Sequence, residues 1–289
     1  MQALAGYRGL MNLGLKVTKA SGVLEDFNPD KLKASIQRAG ADAELAGEIV
    51  RMVVPDVTPN MRTGKIYHLA MKYLKRLNHA SGLRYSLKKA LFRLGPTGYP
   101  FEKYFGKVLM NYGYSIEVGR VLEGRCIRHE VDVIAVNQNE VCVVECKYHN
   151  TPGRSTNSKD ALYVHSRFQD LRPVLGREYP DRKFSGRLVT NTRLTADAIR
   201  YAECSGFMTI GWRHPGNKSL ERMIESKRLY PVTVVTGIQA GLAERLIDRG
   251  IILLKDLADM DTERIQSLLS LPLRKAETLK RQAESICLC

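Results

Sequence analysis

Arg128-His129-Glu130-Val131-Asp132-Val133-Ile134-Ala135-Val136, the break Asn137-Gln138-Asn139, and then Glu140-Val141-Cys142-Val143-Val144-Glu145-Cys146-Lys147 form the stretch that decides how this chain folds. Two runs rich in β-branched residues flank a single turn-like break, which predicts a hairpin closed by Gln138-Asn139. In that register the numbers of facing residues sum to 277, so Asp132 is expected opposite Glu145 and Glu130 opposite Lys147. Period-2 alternation puts Glu145 and Lys147 on one face, with Cys142, Val144 and Cys146 on the other. Charged side chains inside apolar strands are costly unless paired or bound to a cation. Here Asp132, Glu145 and Lys147 fall within reach of one another, because directly paired positions bring Cβ atoms to about 5 Å.

Two carboxylates so placed can share a hard divalent cation. Such a cation on a phosphate, with stabilisation of the charge that develops during reaction, is what phosphodiester hydrolysis needs. Asp132 and Glu145 supply the carboxylates, and the backbone carbonyl of Cys146 is a further ligand. Lys147 is placed to orient or help deprotonate the attacking water and to offset phosphate charge. Its acidic neighbours favour the protonated form, while burial pulls the other way. The plain alternative is a cross-strand salt bridge on a half-exposed sheet face, contributing about 0.2–1 kcal/mol. A surface ladder would not need the apolar residues that surround these charges.

Asp132 followed by Glu145-Cys146-Lys147 resembles the PD-(D/E)XK nuclease superfamily, in its Mrr-like branch, which also resembles Holliday-junction resolvases. The family's core begins with a helix carrying an acid. The segment from Gly98 to Tyr114 matches that element, with Phe101, Tyr104, Phe105, Val108 and Leu109 at helical spacing. The resemblance makes Glu102 the third acid and implies Mg2+, or Mn2+, held by Glu102, Asp132, Glu145 and Cys146. A further helix is expected from Asp160 to about Leu175, carrying Tyr163, His165, Arg167, Gln169 and Arg172. The resemblance places it near the DNA backbone, with Gln169 reaching the site. Gly186 to Thr195 reads as a strand followed by a helix cap, with Thr195 capping a helix from Ala196 to Cys204, and Phe207 to Trp212 as the closing strand.

Length and composition frame this core. At 289 residues, 44% of them hydrophobic, the chain has room for two or three domains. It has no run of 18 apolar residues, which excludes a membrane-spanning helix, and its first twenty residues lack a secretory pattern. Six cysteines without a CxxC pair argue against a zinc site, and reduced buried thiols fit the cytoplasm best. No GxxxxGK[ST] loop is present, so no motor is encoded in this chain. The formal charge of +15 is concentrated: Asn60 to Met110 holds eleven Lys and Arg residues against one acid, Glu102. Such a field attracts a polyanion, and nucleic acid suits it better than a membrane surface.

The flanks read as separate units. Leu15 to Phe27 suggests a small hairpin, Asn28-Pro29-Asp30 caps a helix over Lys31 to Ala39, and two more helices follow near Ala43 to Val53 and Thr63 to Asn78. Val17, Lys19, Gly22, Glu25, Phe27 and Lys31 resemble an ATP-cone, a small nucleotide-binding regulatory domain. The family's basic-acidic pair before the glycine is Ala20-Ser21 here, which leaves Lys19 and Lys31 as the phosphate partners for ATP or dATP. Beyond Thr233, where a final helix is expected from Leu273 to Ile286 with Ala276, Leu279, Ala283 and Ile286 as its inner stripe, short helices joined by Gly-containing turns resemble tandem helix–hairpin–helix motifs. Those motifs hold DNA phosphates at helix N-termini, and the candidate turns are Gly237 to Gly241 and Leu271 to Arg274. A helical dimerisation tail is the alternative.

The expectation is therefore α/β: a restriction-endonuclease-like core with a central mixed sheet flanked by helices (83–222), between small mainly helical domains (1–82 and 223–289). The resemblance implies a cytoplasmic, metal-dependent DNA endonuclease acting on double-stranded or branched DNA, with a homodimer plausible. A structure-selective repair nuclease or Holliday-junction resolvase and a non-catalytic, nucleotide-responsive DNA-binding regulator are the rival readings.

Overall fold

The computed structural model describes residues 14–39, 41–78, 82, 86–235 and 237–288; Arg84, one of the eleven basic residues counted between Asn60 and Met110, and Cys289, the last of the six cysteines, lie outside them. Strands β1 (Lys16–Thr18) and β2 (Leu24–Asp26) pair as a hairpin, followed by helices α1 (Pro29–Arg38), α2 (Ala43–Val53) and α3 (Thr63–Leu77). The Asn28 side chain caps α1 by accepting from the N–H groups of Asp30 and Lys31. Ile36, Ile49, Val50, Val53, Ala70 and Leu74 close a core of their own. Helix α2 stands at the expected range, α1 begins two residues and ends one residue earlier than expected, and α3 ends one residue short.

Helices α4 (Leu87–Leu91) and α5 (Tyr99–Met110) lead into the large sheet. Its strands are β3 (Ser115–Glu123), β4 (Arg128–Val136) and β5 (Glu140–Lys147). After the short β6 (Ser155–Thr156) and the long helix α6 (Ser158–Glu178) come β7 (Lys183–Thr190), β8 (Arg193–Leu194), α7 (Ala196–Cys204) and β9 (Met208–Ile210). The sheet order is β3-β4-β5-β7-β9, antiparallel from β3 to β5 and parallel from β5 to β9. It is thus a mixed five-stranded sheet flanked by helices. The closing strand is shorter than expected: it ends at Ile210, and Trp212, whose N–H donates to the Thr192 carbonyl, is buried with Lys88 over its ring.

Strand β5 is apolar on both faces, so it needs cover on both sides. Cys142, Val144 and Cys146 meet α5 through Phe101, Tyr104, Phe105 and Val108, while Val141 and Val143 meet α6 through Val164, Phe168 and Leu171. Helix α5 lies so close that a Cβ on Gly106 would stand 2.8 Å from Ile116 Cδ1 and 3.3 Å from Val118 Cγ2, so a larger residue would require those side chains to shift. Helix α6 starts in a capping box formed by Asn157 and Asp160.

Five helices finish the chain: α8 (Leu220–Ser226), α9 (Ala240–Asp248), α10 (Leu254–Ala258), α11 (Thr262–Leu269) and α12 (Leu273–Leu288). Their apolar residues, including the predicted stripe Ala276, Leu279, Ala283 and Ile286, belong to the same continuous core as α5 and the β5 face. Tyr104 Oη donates to the Leu229 carbonyl at 2.8 Å, and Thr233 Oγ1 to that of Ala90 at 2.8 Å. The end of the chain therefore backs α5 and is part of what holds it against the sheet. Among the described residues no helix is long and apolar enough to cross a membrane.

Asp170 of α6 fixes the tip of the β3–β4 hairpin. It accepts from the N–H groups of Cys126 (2.8 Å) and Ile127 (3.2 Å) and contacts His129 Nε2 at 2.8 Å. The His129 bond, joined by the amide bonds, holds its carboxyl down to about 2. An acid lowered on folding stabilises the fold above its ordinary range and loses that contribution as pH falls towards the folded value. Thermal melts should show Asp170→Asn melting below the parent at neutral pH, with the gap closing as pH falls from about 4 to 2.

Candidate active site

The hairpin register is the expected one: Val133↔Val144, Ile134↔Val143, Ala135↔Cys142 and Val136↔Val141 all sum to 277. Asn137 closes the turn by accepting from the N–H groups of Asn139 and Glu140. The ladder stops one step before Asp132 and Glu145, however, so these residues are not a ladder pair. Instead Asp132 Oδ2 accepts from the Cys146 N–H at 2.6 Å, a side chain standing where a strand carbonyl would. On the other side, the β3–β4 register skips the Gly119–Asp132 pair, and Gly119 takes φ +69°. Face alternation slips there too, since Val131 packs in the same layer as Ile134. Strands β4 and β5 thus part at Asp132. The N–H and C=O of one strand residue lie on the same edge, so the Cys146 carbonyl borders this gap, while its thiol is buried in the core.

Into this gap come the predicted charges. Glu145, only 5% exposed, bonds Lys147 Nζ at 2.8 Å through Oε1 and Arg167 Nη1 at 2.5 Å through Oε2. Glu102, in the first turn of α5, lies near enough to feel Asp132, Glu130 and Glu145. Burial first, and then those carboxylates, push its pKa up to about 7. Burial and Glu145 raise Asp132 to about 6. Burial alone would lower Lys147, but its bond to Glu145 and the charges of Glu145 and Asp132 outweigh that and raise it. As the side chains stand, Lys147 is therefore held as an ammonium at neutral pH.

Gln169 does not join this group, contrary to the sequence reading. Its Nε2 lies 2.9 Å from His165 Nε2, on the side of α6 that faces Phe184 and Phe207. At about 100° per helical residue, the position that meets β5 is two residues earlier. Arg167 fills it, bonding Glu145, the Glu130 carbonyl (3.1 Å) and the Tyr163 hydroxyl (2.7 Å). The signal available in sequence was the spacing Tyr163-x-x-x-Arg167, which puts both side chains on one helix face.

A hard divalent cation suits the chemistry of this donor set, since Glu102 and Asp132 are carboxylates whose ionisation is opposed by burial and by each other. As the side chains stand, no three of the described His, Cys, Asp or Glu residues converge closely enough to hold a metal ion. Both Glu145 oxygens are taken by cations, and Asp132 is turned to the Cys146 amide.

Elsewhere, Lys19 (2.6 Å) and Lys31 (3.7 Å) both reach Glu25, so the two predicted phosphate partners stand together around one carboxylate. In the C-terminal turns, no side chain caps α9, and Ser270 ends α11 in a left-handed conformation at φ 52°.

Residues 230–287 match a family model described as AF1548-like, C-terminal. An uncharacterized protein of Archaeoglobus fulgidus is 29% identical over 180 residues, covering 62% of this chain and 98% of that protein. The solved crystal structure of a protein of unknown function, AF1548, superposes with a TM-score of 0.56 at 27% identity, covering 66% of this chain and 98% of the other. The structural likeness accords with the α/β class of the fold described above.

Two outcomes test the electrostatics. Removing one partner from a buried pair costs roughly 3–5 kcal/mol. Because Lys147 still pairs with Glu145, Arg167→Ala should cost less, about 2 kcal/mol in urea unfolding, and the double variant Glu145→Gln/Arg167→Met should cost less than Arg167→Ala alone. For Glu102 the sign is opposite to that of Asp170. An acid raised on folding weakens the fold as pH climbs from its ordinary 4.5 through about 7. Glu102→Gln should therefore melt above the parent at about pH 8, with no difference left below about pH 4.5.

Proposed function

We propose that this protein is a metal-dependent DNA endonuclease with a restriction-endonuclease-like core, whose site is the cluster at the parting of β4 and β5. The observation that carries the reading is that Glu102, Asp132, Glu145 and Lys147, from one helix and two strands, lie within reach of one another's charge where the β4–β5 pairing ends. Carboxylates kept in mutual repulsion favour a bound cation, and Mg2+ or Mn2+ suits all-oxygen donors. Glu102, Asp132 and Glu145, with the Cys146 carbonyl, would hold it. Bound there, the cation would polarise a phosphodiester oxygen and activate a water. Lys147, protonated beside Glu145, would offset charge on the phosphate. Arg167 would hold Glu145 in place and, if Glu145 turned to the cation, would be free to meet a phosphate oxygen.

The surface supports a polyanionic partner. Helix α3 buries Ile66, Ala70 and Leu74 and exposes Arg62, Lys65, Lys72 and Arg76. On the same helix, burial first and then the nearby cations Arg93 and Lys89 lower the Lys75 pKa. Such contacts bind backbone phosphate without reading sequence. A cytoplasmic location and a homodimer that addresses two strands belong to the same proposal.

One observation favours a non-catalytic DNA-binding regulator instead: both Glu145 oxygens are already paired. Plasmid and branched DNA incubated with the full chain separate the two readings. The nuclease reading expects cutting in Mg2+ or Mn2+, none with chelator, and a loss of about 100-fold or more in Asp132→Ala and in Lys147→Ala. Binding without cutting in either metal would sink it and leave the regulator.

A further inference from the structure

Tyr163, on the second turn of α6, leaves 56% of its surface in water, and its neighbour Leu162 leaves 49%. Two adjacent large apolar side chains thus stand open beside a charged cluster. The ring is not free to swing. Arg167 Nη2 bonds its hydroxyl at 2.7 Å, the Arg167 guanidinium lies 5.0 Å from the ring centroid, and Lys147 Nζ lies 5.6 Å from it. Arg167 and Lys147 are the same two cations that bond Glu145, so the ring is tied to the candidate site itself. Shielding the Arg167–Glu145 pair from water would explain the ring's contact with Arg167. It does not explain why the rest of the ring stays exposed together with Leu162.

A fixed aromatic surface edged by cations is suited to a nucleotide, with the base stacked on the ring and the phosphate drawn to the cations. Bases inside a continuous duplex are covered on both faces by their neighbours and cannot use such a surface without leaving the stack. We propose that Tyr163 is the stacking platform for an unpaired base adjoining the phosphate addressed by this site. The preferred substrate is then DNA with an unpaired nucleotide at a flap, branch or mismatch, rather than continuous duplex. The inference rests on the phosphodiesterase reading of the cluster.

The test uses the full chain with Ca2+ in place of Mg2+, titrated into a flapped oligonucleotide carrying 2-aminopurine at the unpaired position and into a continuous duplex with the same label. The parent should quench the flap signal and bind the flap about ten-fold more tightly than the duplex. Tyr163→Phe, which keeps the ring and loses the bond to Arg167, should retain both effects. Tyr163→Ala, folded by its melting curve, should lose the quench and bring the preference within about two-fold. Quenching that survives Tyr163→Ala, or equal affinity of the parent for both DNAs, overturns the proposal. A parallel Mg2+ cutting assay keeps the two readings apart. Ring-dependent quenching with no cutting upholds the platform and sinks the nuclease. Cutting of duplex and flap alike, without quenching, does the reverse, and no binding to either DNA overturns both.

Discussion

The cluster depends on a backbone amide that has lost its strand partner. Where β4 and β5 should continue their ladder, the Cys146 N–H is taken by the Asp132 carboxylate instead. A buried N–H cannot be left unpaired without a cost of about 1–3 kcal/mol, so an acid in this position satisfies the backbone and stays in a place that burial disfavours. The parting of the strands opens the gap, and Gly119 on the facing strand absorbs the distortion with a backbone conformation that other residues rarely adopt. The site is therefore bound up with the fold at its most constrained point.

Around that gap the charges are arranged unevenly. Glu145 is satisfied twice over, by Lys147 and Arg167, whereas Glu102 and Asp132 repel each other with less compensation and hold their protons to about 7 and about 6. A set of this kind is at rest without a ligand only because half of it is paired and half is partly neutral. Both conditions would change if a divalent cation were bound: Glu102 and Asp132 would give up their protons, and Glu145 would exchange a paired cation for the metal. The other face of the sheet bears on this as well. Glu102 is placed by α5, and α5 is pressed onto β5 by a core that continues through Tyr104 and Leu229 into the last helices of the chain. Damage to the C-terminal helices would reach α5, and with it Glu102, through this packing.

The basic helix α3 and the exposed ring of Tyr163 lie on different elements and offer different chemistry. Cations on α3 suit any phosphate backbone, while the ring would select for a base that has left its stack. Under the proposed function, affinity and substrate choice would then be divided between parts of the surface that can be altered separately.

Much of this was legible in the residues themselves. The hairpin register followed from one turn and two β-branched runs, because a one-residue slip would turn every side chain to the wrong face. The spans of α1 to α3, the Thr195 cap and the inner stripe of α12 followed equally from local pattern. The mixed five-stranded order, the early end of the β4–β5 ladder and the choice of Arg167 over Gln169 did not. Local sequence sets which residues share a face of an element. Which face then meets a distant strand, and whether a side chain displaces a ladder bond, depends on packing between segments far apart in the chain. The sequence by itself placed Asp132, Glu145 and Lys147 on neighbouring strands; only the tertiary structure, by docking α6 on β5, decided which cation would be buried against Glu145.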